Sequence, residues 1–300
     1  MLGGSAVHFA LAARFFDRVR MVGPVGDDFG QGELELLQQR GIETGDIERV
    51  PGGQTFFWRG EYGEDLNCAN TLDTRLGVFA EFAPKLSPDS LASEVLFLAN
   101  IQPELQLQVR EQFAHSRFVA LDSMNLWIET APTALRAVIA AVDCLILNDA
   151  ELRQLSGESE LAAAARSLLA LGPRVVIAKQ GAEGATLFTA RGQLTQAAFP
   201  LAAVADPTGA GDSFAGGFVG YIAAHAGRRE HDSGAARIEL SDELLAAAMA
   251  AGTAIASFNV EEFGTERVAR LSAAELEARV AALAPAAPGP QISTPDKLLR

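Results

Sequence analysis

The sequence predicts an α/β fold, a mainly parallel sheet flanked by helices on both faces with a small β appendage, and three observations carry that expectation. Apolar runs of strand length alternate with stretches of helical periodicity along most of the 300 residues. A glycine turn opening into a helix stands near the end of the series, at Asp206 to Phe218. Between residues 51 and 85 the alternation gives way to an aromatic and β-branched pattern that reads as a hairpin.

Strand-like runs occupy residues 19–25, 95–100, 118–122, 144–148 and 175–179, and helical stretches occupy 32–40, 103–113 and 161–171. That order is the mark of βαβ units. Ligands of open parallel sheets gather beyond the C-terminal strand ends, where Asn100, Asp122, Asn148 and Lys179 stand. Residues 55–62 and 71–82, joined through Gly63, Asp65 and Asn67, form the expected hairpin, read as a lid or as an ordinary edge hairpin. Phe56, Trp58 and Phe82 would be poor surface residues without something to cover. Residues 198–205 read as the strand that leads into the glycine turn, and 214–224 as the helix that leaves it. Residues 226–242 read as a polar surface loop, and the Pro- and Ala-rich tail from 284 as disordered or loosely docked. The domain reading is a core of residues 1–50 and 86–285, a hairpin lid at 51–85 and a tail at 286–300.

Composition narrows the partners. A formal charge of -14 and a pI near 4.8 argue against nucleic acid, whose affinity depends on Lys and Arg. An anionic ligand must therefore be met by local N–H groups and a metal. Cys68 and Cys144 lie far apart with no neighbours at ligand spacing, which suggests neither zinc nor a disulfide framework. No apolar run reaches membrane-spanning length and no leader pattern is present, so the expectation is a soluble cytoplasmic protein with no membrane partner.

The segment Asp206-Pro207-Thr208-Gly209-Ala210-Gly211-Asp212-Ser213-Phe214-Ala215-Gly216-Gly217-Phe218 carries the chemistry. First-turn N–H groups lack internal partners and the helix dipole adds positive charge, so anions settle there. A carboxylate at Asp212 would repel such an anion unless its task is to take a proton. A dinucleotide fingerprint wants glycine where Phe214 stands, and a P-loop wants Gly-Lys, a dipeptide absent from the chain.

This segment resembles the C-terminal signature of the ribokinase-like (PfkB) carbohydrate kinases, and the order of the remaining segments is similar as well. The resemblance implies a ribokinase-like fold and ATP-dependent phosphorylation of a hydroxyl, a primary one, on a sugar or sugar-like molecule. A nucleoside kinase of the adenosine type is the alternative, since an aromatic lid can stack a base. It further implies Asp212 as the base and the amides of Gly209, Ala210 and Gly211 as the anion hole. Asn148-Asp149-Ala150-Glu151 is similar to the family's Asn-x-x-Glu motif, which organises Mg²⁺ through water, although a helix-capping box has the same spacing. Lys179, Gly181 and Gly184 resemble the nucleotide-side hairpin, with Lys179 either on ATP phosphates or solvated. Asp206 and Thr208 correspond to positions that bind a monovalent cation, K⁺, in relatives. A homodimer paired through the lid is a further implication.

Substrate residues depart most from the pattern. Gly3, Gly4 and His8 match a Gly-Gly-x-x-x-Asn segment with His8 in place of Asn; His8 either bonds a substrate hydroxyl or packs in the core. Asp122-Ser123-Met124-Asn125 resembles an Asp-Pro-Asn-x-Arg segment without its Arg. The family places a strand ending in a sugar-binding Asp before the Gly-Gly segment, so the expectation is that the natural protein begins upstream of Met1. Beginning at Met1, the chain would leave neighbouring strands unpaired and the substrate pocket open, which adds a third reading: a ligand-binding homologue with impaired turnover.

Overall fold

The computed structural model describes residues 1–63, 66, 69–113, 115–225, 237–283 and 287–288. The elements begin with α1 (Ser5–Ala13), β1 (Arg20–Val25), α2 (Gln31–Gln39), β2 (Glu43–Arg49) and the hairpin strands β3 (Phe57–Tyr62) and β4 (Ala69–Arg75). They continue with α3 (Pro88–Leu91), β5 (Val95–Leu98), α4 (Pro103–Gln112), β6 (Phe118–Asp122), α5 (Asn125–Thr130), α6 (Pro132–Ile139), β7 (Cys144–Asn148) and α7 (Asp149–Ser156). Then come α8 (Leu161–Leu169), β8 (Val175–Lys179), β9 (Ala185–Thr189), β10 (Gly192–Gln196), α9 (Ala210–His225), α10 (Asp242–Asn259), α11 (Glu266–Arg270), α12 (Ala273–Ala282) and β11 (Ala287–Pro288).

The main sheet runs β11-β10-β9-β8-β7-β6-β5. Its β5 to β8 half is parallel, and its β8 to β11 half is antiparallel. In β6 every residue is buried, and in β7 and β8 all but the last, because helices cover both faces. Side chains alternate between two cores. Phe118, Ala120, Ile146 and Ile177 pack with Phe214, Phe218, Ile222 and Met249. Val119, Leu121, Leu145, Leu147 and Val176 pack with Leu135, Ile139, Leu152 and Leu168 on the opposite side.

A third core joins α1 and α2 to α10, α11 and α12 through Leu11, Leu37, Ile255, Phe258 and Leu276. Helix α9 is held between α1 and α10 by bare backbone. A methyl group on Gly216 would stand 2.4 Å from the Phe9 carbonyl oxygen, and one on Gly217 2.8 Å from that of Ala251. This second glycine pair therefore serves helix packing, which fixes how the first turn of α9 meets the sheet.

Strands β1 and β2 form a separate parallel pair, and β3 and β4 a separate antiparallel pair. Among the described residues β1 and β5 each have a strand partner on one side only. Both line one large cavity.

Other expectations need correction. Residues 198–205 form no strand; the segment is irregular, Val204 is exposed, and the Ala205 N–H donates to the Val260 carbonyl. Small, exposed alanines there give a sheet no face to bury. The second hairpin strand ends at Arg75, because Gly77 takes a positive φ of 52° and a short 3₁₀ turn follows. Phe56, Trp58 and Phe82 are half-buried rather than exposed, with Phe56 and Phe82 each edge-on to Phe79, while Phe57, Leu66 and Leu72 are exposed large apolar residues of the hairpin. The hairpin turn at Asp65 and Asn67, Cys68, and most of 226–242 lie outside the described residues; the described end of that last segment, 237–241, is irregular as expected but partly buried, at Ile238 and Leu240, and Asp242 opens α10. Within the tail, Ala287 and Pro288 pair with Thr195 and Leu194 at the sheet edge. Cys144 is buried and free.

Candidate active site

The site is assembled where β6, β7 and β8 end against the N-terminus of α9. Asn148 and Lys179 are direct neighbours in register. The Lys179 ammonium lies 3.3 Å from Asp122 Oδ1, and a methyl group on Gly211 would meet that ammonium at 2.7 Å. The cation therefore sits over the first turn of α9, whose third residue is Asp212. Asp122, Glu151, Asp212 and Lys179 all line the cavity, three carboxylates facing one ammonium.

Burial shifts these groups together. It raises Asp122 to about 6, against the pull of Lys179 and with the push of Asp212. It raises Glu151 to about 7, again opposed by Lys179. Burial also lifts Asp212, opposed by Lys179 and by a hydrogen bond from the Ser5 hydroxyl. For Lys179 burial alone would lower the pKa, but Asp122, Glu151 and Asp212 outweigh it and hold it above its ordinary value. Such convergence of perturbed groups in a cleft marks functional sites. Asp212 Oδ1 is buried without a hydrogen-bond partner among the described residues.

Beneath the turn lies a polar clamp. Gly209 takes a φ of 76°, and a methyl group there would fall 2.3 Å from the His8 ring. His8 is buried, and burial lowers its pKa, so it is neutral near pH 7. Asn259 Nδ2 donates to the Thr208 carbonyl at 2.7 Å, which fixes the amide's orientation, since the opposite one would set two carbonyl oxygens together. Its Oδ1 then accepts from Ser213 Oγ at 3.0 Å and from His8 Nδ1 at 2.9 Å. Nδ1 therefore carries the ring hydrogen and Nε2 keeps its lone pair. His8 lines the cavity and its Nε2 points toward Gly3.

The remaining predicted residues fall as follows. Gly3, Gly4 and Asn100 line the cavity, and Asn100 Oδ1 accepts the Trp127 indole N–H at 3.0 Å. Asn148 and Glu151 form a reciprocal capping box, at 2.7 and 2.9 Å, and both face the cavity. The capping and ligand-facing roles coexist. Gly181 and Gly184 shape the tight β8–β9 turn away from the cavity wall, with Gly184 pressed on the Gln196 carbonyl. The Ala210 N–H is turned to the Pro207 carbonyl at 3.2 Å, which takes it out of the expected anion hole. Asp206 accepts from the Thr208 and Gly264 amides at 2.9 and 3.1 Å. Sequence reasoning missed Ser5, Ser213, Asn259 and Tyr62; no local spacing signals them, because each acts across a long sequence separation.

No cluster of three or more acidic, His or Cys side chains gathers for a metal among the described residues. Asn148 and Glu151 suit Mg²⁺ held mainly by phosphate oxygens and water, the usual habit of that ion. A polyphosphate entering beside three carboxylates needs such a counter-charge.

Fold and site together define an α/β kinase that moves a phosphoryl group onto an alcohol, with a carboxylate on the first turn of a helix. The chain belongs to the pfkB family of carbohydrate kinases, whose description matches residues 2–270. It is 28% identical over 239 residues to a 2-dehydro-3-deoxygluconokinase of Thermoproteus tenax, covering 73% of this chain and 72% of that one. Its fold is similar to a Burkholderia thailandensis nucleoside kinase in complex with inosine, at a TM-score of 0.72 and 19% identity, covering 94% and 88% of the two chains. Arabidopsis thaliana ribokinase complexed with ribose and ATP superposes at a TM-score of 0.69 and 22% identity, covering 93% and 87%. Kinases of this family use ATP with Mg²⁺. No helix among the described residues is long and apolar enough to cross a membrane.

Proposed function

We propose that the chain transfers the γ-phosphoryl group of ATP to a primary hydroxyl of a sugar or nucleoside. The observation that carries this reading is the buried Asp212 Oδ1 on the first turn of α9, which has no hydrogen-bond partner among the described residues. An acceptor hydroxyl donates its hydrogen bond there. As the new oxygen–phosphorus bond forms and the bond to the ADP oxygen breaks, Asp212 takes the hydroxyl proton, a contribution of roughly 10²–10⁴ in rate. The Gly209 and Gly211 amides and the Lys179 ammonium meet charge on the transferring group. Asn148 and Glu151 would hold Mg²⁺ through water, and the ion, when bound, neutralises the phosphate charge. His8 Nε2 accepts a second acceptor hydroxyl, so His8 takes over the role of an asparagine with a lone pair in place of a donor. With ATP as donor, the reaction belongs to the cytoplasm.

Two observations keep other readings in view. Trp58 and Tyr62 of the hairpin line the cavity, which favours a flat nucleoside base over a bare sugar. The open edges of β1 and β5 favour a homologue that binds without turnover. ADP release should be measured with ATP, Mg²⁺ and a panel of ribose, deoxyribose, a 2-keto-3-deoxy aldonate, inosine, cytidine and adenosine, in KCl and in tetramethylammonium chloride. Acceptor-dependent ADP is the expected result, with KCl raising the rate if Asp206 and Thr208 hold K⁺. Ligand-induced thermal stabilisation without ADP would contradict the kinase reading and support the binding homologue.

A further inference from the structure

We infer that Tyr62 is a positioning residue that ties the hairpin to the phosphoryl-accepting turn, an inference that rests on the kinase reading above. Tyr62 is the last residue of β3, and β3 and β4 bond only to each other as a sheet. At its base the hairpin is anchored through Thr55, whose hydroxyl donates to Asp28 Oδ1 at 2.7 Å and accepts the Gly26 amide at 2.9 Å. At the far end the Tyr62 phenol spans the cavity to Thr208 Oγ1 at 3.3 Å. Among the described residues this hydrogen bond is what joins the paired strands to the core. A second polar group of the hairpin's cavity wall, the Trp58 indole N–H, stays within the hairpin on Thr71 Oγ1 at 3.1 Å.

Thr208 is the residue before Gly209, and its other groups are already committed. Its amide donates to Asp206 and its carbonyl accepts from Asn259. The phenol therefore grips a residue whose backbone is locked, and hairpin position and turn geometry become one structural unit. Because the Thr208 hydroxyl donates to the phenol oxygen, the phenol keeps its own hydrogen to give to a ligand oxygen. Burial, with the charges of Asp206 and Asp212, raises the Tyr62 pKa and keeps that hydrogen in place. With the bond made, the hairpin covers the cleft while the turn is set, which favours transfer to the enclosed acceptor over transfer to water.

The test is Tyr62→Phe, which deletes one oxygen. Losing a single neutral hydrogen bond should raise the acceptor KM about two- to tenfold, and raise acceptor-independent ADP release relative to acceptor-dependent release. Thr208→Val severs the same bond from the other side, and the double variant should be no worse than the more impaired single one. Should Tyr62→Phe fold poorly, Thr208→Val carries the same expectation. A second arm needs no turnover. The chain has two tryptophans, so in a Trp127→Phe background Trp58 alone reports on the hairpin, and Tyr62→Phe should increase its acrylamide quenching. Unchanged quenching overturns the inference even if no acceptor is ever phosphorylated. Additive effects of the two substitutions, or an acceptor KM and ADP leak equal to wild type, overturn it as well. Increased quenching in a chain that turns over no acceptor would leave the tie standing and count against the kinase reading alone.

Discussion

Glu151 shows how the site's chemistry and the molecule's stability pull against each other. In the unfolded chain it titrates at its ordinary 4.5, and in the folded protein at about 7, because burial disfavours the charged form. The folded pKa is the raised one, so this carboxyl's contribution is fully present below pH 4.5 and is lost as pH rises through 7. Ligand-free protein should therefore lose stability between pH 5 and 8, by an amount on the order of 2–3 kcal/mol from this group. Glu151→Gln should flatten that part of the melting-temperature profile; parallel profiles for the two proteins would contradict the assignment. That Asp212, Asn148, Glu151 and Lys179 would meet at one cavity was legible because each stands where a strand closes or a helix opens. Asn259 was not. It ends a helix of alanines, where it reads as a terminus, and its bond to His8 crosses 251 positions of sequence. Nor could sequence say that His8 would be both buried and cavity-lining.

At the scale of elements, α9 is the piece on which the site depends, and its glycines divide the work. Gly209 and Gly211 admit His8 and Lys179 to the turn, while Gly216 and Gly217 admit neighbouring helices. Gly216→Val should cost about 1–3 kcal/mol through overpacking against Phe9 and Ala12 and lower the melting temperature. Gly32→Ala in α2 meets nothing within 4 Å and should be neutral or stabilising. Equal effects of the two would show that α9 is not tightly packed. Strands β6, β7 and β8 were read to the residue, since burial on both faces writes an uninterrupted apolar run. Residues 198–205 are also mostly apolar and form no strand. Alanine runs carry little area to bury, and the Val260 carbonyl claimed the Ala205 amide instead.

For the whole molecule, the main sheet, the β1–β2 pair and the β3–β4 hairpin enclose a cavity of about 2140 Å³. That exceeds the roughly 300–1,000 Å³ of a usual small-molecule site. Both β1 and β5, each with a strand partner on one side only among the described residues, border that space. The phosphoryl end is well ordered in its chemistry: one carboxylate with a free oxygen, a helix N-terminus, and an ammonium held between acids. On the reading proposed above, phosphoryl transfer depends on that end. The most direct measurement is acceptor-dependent ADP production by Asp212→Asn beside wild type, with the best acceptor of the panel at saturation. The expected result is a loss of about 10²–10⁴ in kcat with ATP binding retained. A variant that keeps turnover within tenfold of wild type would contradict the assignment of Asp212 as the base.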